Sequence, residues 1–152
     1  VAAEIEALWA ANALWPGQAI VARLQAQVSD LRAVQLVDEF DPNTTVPRQL
    51  PGAIVLLDQL RVVTRGNVYT LPNNCEQDWM VAIAVRSARA EADAASASAG
   101  TLLPQVVAAL QGYAPVQAVP QRRFAWRTGP RPNYGRDVSY YPLIFTMAEA
   151  MS

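Results

Sequence analysis

Apolar positions recur along this chain with two periods. In "TLLPQVVAALQGYAP" (101–115), Leu103, Val106, Val107 and Leu110 fall at i, i+3, i+4 and i+7, one stripe of a 3.6-residue helix. Thr101 is placed to cap its start, Pro104 is tolerable in a first turn, and Gly112 with Pro115 is placed to stop it. Ile20, Leu24, Val28 and Leu31 predict a second helix over 17–32. Ile5, Leu8 and Trp9 share one side of a helix-prone stretch over 1–15, and Pro16-Gly17 is expected to break the chain between the two. Period-two alternation is clearest in "WMVAIAVR" (79–86), with Trp79, Val81, Ile83 and Val85 on one face and Met80, Ala82, Ala84 and Arg86 on the other. The small residues of the second face predict close approach of a helix there, the 101–111 helix being the natural partner.

Further strands are predicted in "AVQLV" (33–37), in "AIVLL" (53–57) running on through "QLRVVT" (59–64) to a turn at Arg65-Gly66-Asn67, in "RFAWRT" (123–128) and in "VSYYPLIFTM" (138–147). Phe124 and Trp126 alternate with Ala125 and Arg127 as core-facing residues would, and Pro142 predicts a sheet edge or a bulge for the last strand. The order α, β, β, β, α, β, β predicts an α+β fold. It is a largely antiparallel sheet of about 4–5 strands packed by two main helices, with an N-terminal helical extension (1–16) ahead of the main domain (17–152). The connections 38–52, 65–78 and 129–137 exceed the usual length of about 4–6 residues, and long loops on a small scaffold tend to carry function. "ARAEADAASAS" (88–98) reads as a flexible linker or a helical extension.

Composition narrows the chemistry more than the fold. Of 152 residues 52% are hydrophobic, enough for one domain with its own core. No apolar run approaches the roughly 20 residues of a membrane helix, and no basic region followed by an apolar block opens the chain, so neither a span nor a signal peptide is expected. There is no histidine, and all 12 basic residues are arginine. The absence of histidine excludes Ser-His-Asp and Cys-His catalysis and most zinc sites. The absence of lysine excludes a Schiff base, a Ser-Lys dyad and a P-loop. No cofactor, metal site or catalytic residue is expected.

Cys75, the single cysteine, sits in "NNCEQD" beside Glu76 and Asp78, whose charge raises a thiol pKa, so it reads as an inert loop thiol. Asp38, Glu39 and Asp41 lack the ordered oxygen spacing and glycine of a calcium loop and read as a solvated acidic loop or a docking patch. Arg122, Arg123, Arg127, Arg131 and Arg136 cluster among Phe124, Trp126 and Tyr134. Cationic side chains interleaved with aromatics suit nucleic acid, a plain solvated hairpin or a protein interface. The net charge of −1 weighs against nucleic acid and favours the interface. Trp9 and Trp15 extend the candidate contact set into the N-terminal stretch.

Taken in order, "AIVARL" (19–24), "LPGAIVLL" (50–57), "DWMVAIAVRSA" (78–88), "AGTLLPQVVAALQGYAP" (99–115) and "SYYPLIF" (139–145) resemble the tail terminator, or tail completion, proteins of long-tailed bacteriophages, particularly the Mu-like prophage branch. The likeness spans roughly residues 17 to 147 and lies in the order and spacing of these segments. It implies a virion structural protein, assembled in the host cytoplasm, that forms a six-membered ring on the head-proximal end of the tail tube. Such a ring ends tube polymerisation and offers its other face to the neck. The implied partners are further copies of the chain, the tail tube protein, the neck or head–tail connector protein and a sheath protein where one exists, with DNA at most passing through the lumen. The rivals are a neck or connector protein, and a small nucleic-acid-binding module using the Arg122–Arg136 hairpin.

Overall fold

The structure is a computed structural model that describes residues 11–12, 14–41, 46–62, 75–86, 94–116, 122–127, 129, 131–135 and 137–149. In chain order its elements are α1 (Trp15–Gln27), β1 (Ala33–Leu36), β2 (Gly52–Val62), β3 (Cys75–Arg86), α2 (Ala94–Leu110), β4 (Arg122–Trp126), β5 (Asn133–Tyr134) and β6 (Val138–Glu149). They form the expected α+β architecture around one six-stranded sheet of order β1-β2-β3-β6-β4, with β5 also paired to β6. Every pair is antiparallel except β1–β2, a parallel pair at one edge. The two-residue β5 was not anticipated, being too short to show a period.

Both helices keep their apolar stripes but shift their ends. Pro16-Gly17 opens α1 instead of breaking the chain, since the first turn has no use for the N–H that proline lacks. Gly17 is required for space: a Cβ there would overlap the Trp79 ring. The helix stops at Gln27, well short of residue 32. The Val28 N–H still reaches the Leu24 carbonyl (2.9 Å), and Val28 and Leu31 stay buried beyond the helix end. The second helix begins at Ala94, so part of the alanine-rich stretch is helical extension, Thr101 is not a cap and Pro104 lies inside the helix. The core-facing stripe is Ala99, Leu102, Val106, Ala109 and Leu110, with Leu103 and Val107 on its flank. Gly112 ends the helix at φ +77°, the left-handed conformation expected of it.

The helices pack on the opposite face of β3 from the one anticipated. Ile20, Leu24, Leu102, Val106 and Leu110 join Trp79, Val81, Ile83 and Val85 in the main core. Met80, Ala82 and Ala84 instead form a second cluster with Ile54, Leu56, Tyr140 and Ile144, flanked by Val37, Phe40, Leu50 and Val138. The small residues make room for a tyrosine from the next strand: Tyr140 lies opposite Ala84 and receives Phe40 edge-on at 5.0 Å.

Pro142 sits in an interior strand, with β3 alongside it at Ala82. On the other side of β6, β4 pairs with 145–149 and β5 with 139–140, so the proline falls in the gap between them. No ladder bond is missed there. Cys75 is the first residue of β3 and not a loop residue. The N-terminal extension up to residue 10, with Trp9, and the 65–67 turn lie outside the described residues.

Candidate interaction surfaces

At the β4 edge the backbone is already satisfied. Gly112 N–H donates to the Phe124 carbonyl (2.8 Å), Phe124 N–H to the Tyr113 carbonyl (3.0 Å), and Trp126 N–H to Gln111 Oε1 (2.6 Å). The segment after α2 therefore closes this edge against strand addition. Arg23 of α1 ties down the end of α2 and that segment, donating from Nε to the Ala109 carbonyl (3.0 Å) and lying over the Tyr113 ring at 4.3 Å.

The edge presents side chains instead. Arg123, Arg127 and Arg131 are exposed, and Tyr134 is 71% exposed while meeting Tyr141 edge-on at 5.9 Å. Arg122, expected among the contact arginines, is buried, and Arg136 lies outside the described residues. Phe124 is core as anticipated, but Trp126 is 48% exposed. The Tyr113 ring stacks on Phe124, and β4 ends at Trp126.

The opposite edge carries the exposed Arg32 and Arg48 along β1 and becomes acidic past the strand's end. Asp38, Glu39 and Asp41 follow β1 and are exposed. Asp58 on the neighbouring β2, which the sequence did not single out, is also exposed, at a bulge between Leu57 and Gln59 that shifts the β2–β3 register. An open groove of about 600 Å³ runs along β1 from Gln25 to Arg48, floored by Leu31 and Val34. Trp15, placed with Trp9 in the candidate contact set of the N-terminal stretch, packs against the domain's own helix-side core.

Among the described residues a dense polar cluster at Asp78 is structural. Asp78 accepts two bonds from the Arg61 guanidinium and one from Thr146 Oγ (2.7 Å), while Glu76 accepts another from Arg61 (3.2 Å). The bond to Asp78 raises the Arg61 pKa further, against the opposing effect of burial, so both carboxylates are held by a permanent cation. Among the described residues no group of three or more His, Cys, Asp or Glu side chains comes together as a metal site would need.

The geometry is that of a core with two dissimilar edges, one cationic and aromatic at β4, the other carrying Arg32 and Arg48 along β1 and turning anionic past its end at Asp38, Glu39 and Asp41. The family model described as phage tail terminator protein matches residues 10–152, nearly the whole chain. No curated protein matches it.

Proposed function

We propose, from the premise that this chain belongs to the phage tail terminator family, that it assembles as a ring of six subunits and caps the head-proximal end of the tail tube. The family makes it a structural component of the virion that contacts other tail or neck proteins. The finer reading is that the ring ends tube polymerisation with one face and receives the neck with the other.

The family match over residues 10–152 carries this reading. A physical argument supports it. Identical tube rings stack through a heterologous contact, which leaves an acceptor face open at every step and has no inherent end. A terminator must match that face while offering nothing that accepts another tube ring. A small domain whose exposed groups differ from edge to edge, with its β4 backbone already bonded, suits this task.

The reading is tested by adding the purified protein to tube protein that polymerises in vitro and following tube length by negative-stain electron microscopy. Substoichiometric protein should stop growth and leave a ring on one end of each tube. Unchanged growth, with binding to neck protein alone, would transfer the assignment to the neck.

A further inference from the structure

We infer that the subunits of the ring join head to tail through the two sheet edges, the Arg123–Trp126–Arg127 edge of one copy receiving the Asp38–Glu39–Asp58 edge of the next. This rests on the reading that the protein works as a ring.

The strand registers carry the argument. Leu36 pairs with Val55 in parallel and the Val37 N–H still reaches the Val55 carbonyl (2.9 Å), so that register continued past the strand's end sets Asp38 level with Leu57. Leu57 faces Trp79, Trp79 faces Phe145, and Phe145 faces Trp126. One row across the sheet thus begins at Asp38 and ends at Trp126, and moving a copy along that row brings the acidic edge against the basic one.

The groups at the two ends are complementary and unspent. Asp38, Glu39 and Asp58 are exposed at one end, Arg123 and Arg127 at the other. Among the described residues the ion pairs are those of Arg61 with Glu76 and Asp78, and none involves these five side chains. Trp126, 48% exposed, stands at the end of β4 with its backbone N–H held by Gln111, in the same segment as Arg123 and Arg127. Tryptophan and arginine are the residues most enriched among those that dominate binding energy. Because the two patches differ and lie at opposite edges, the contact is heterologous, and a heterologous contact with a closing rotation generates a ring.

Charge exchange tests the inference. Three proteins are compared with the wild type: Arg123→Glu/Arg127→Glu, Asp38→Arg/Glu39→Arg, and the protein carrying all four substitutions. Assembled mass is read by light scattering across a dilution series, and folding is checked by circular dichroism, which substitutions at exposed positions should leave unchanged. Each double variant alone should need at least about tenfold more protein to assemble, because like charges then face each other.

The equimolar mixture of the two double variants, and the fourfold variant, should assemble near the wild-type concentration, since every contact again joins opposite charges. A double variant that assembles like the wild type, or a mixture that fails to restore assembly, overturns this interface and leaves the ring reading standing. A wild-type protein that stays monomeric both in solution and on tube ends removes the ring reading, and this inference with it.

Discussion

Asp78 is 6% exposed and holds three hydrogen bonds, and nothing in its sequence surroundings announces that role. Its partner Arg61 lies 17 positions away on the neighbouring strand, and Thr146 lies 68 away. Asp78→Ala would strand a buried hydroxyl and a half-buried guanidinium. With the Arg61 side chain still 34% exposed, the expected loss is about 2–3 kcal/mol, short of a fully buried pair. Urea unfolding of the variant checks this, and Thr146→Val should lose only about 1 kcal/mol. The pH profile follows from two groups. Burial raises the Tyr140 pKa above that of an ordinary tyrosine, and the bond to Asp78 raises that of Arg61 above an ordinary arginine. A folded-state pKa raised above the unfolded value gives stability that is complete below the unfolded value and lost as pH climbs toward the folded one. With no histidine to titrate near neutrality, the thermal midpoint should be flat from about pH 6 to 9 and fall above about pH 10. Tyr140→Phe should lessen that alkaline fall.

At the scale of elements, two glycines separate conformational from steric demand. Gly112 has φ +77° with open space where a Cβ would be, so Gly112→Ala should cost about 1–2 kcal/mol through backbone strain alone. Gly17 lies against Trp79, and Gly17→Ala should cost about 1–3 kcal/mol by displacing a fully packed ring. Chemical denaturation measures both, and the near-ultraviolet tryptophan signal should change only for the second. These elements also mark what the sequence reveals. The helix stripes of Ile20, Leu24, Val106 and Leu110 and the alternation of β3 were legible because burial imposes a period. Which face of β3 meets the helices was not, since Ala82 and Ala84 serve a tyrosine on β6 as well as they would a helix. The exposure of Trp126 was hidden for a similar reason: alternation gives a side, while the cover on that side comes from Tyr113 and ends with Phe124. The arginine and acidic segments were visible as composition. That they stand at opposite ends of one row is a property of the sheet order, which local pattern does not encode.

For the whole molecule, the family gives a tail structural protein and the proposed ring gives it a place. Contacts between exposed charges weaken as salt shortens the Debye length from about 10 Å at 0.1 M to about 3 Å at 1 M. Assembly of the purified protein should therefore fall with added sodium chloride, and sedimentation velocity would show whether it does. The account as a whole rests on termination, and tail length in the absence of this protein tests that most directly. Electron microscopy of phage deleted for the gene should show tails with a broad, overlong distribution, unattached to DNA-filled heads, and purified protein should restore joining. Tails of uniform normal length, with the defect confined to the head, would contradict the account.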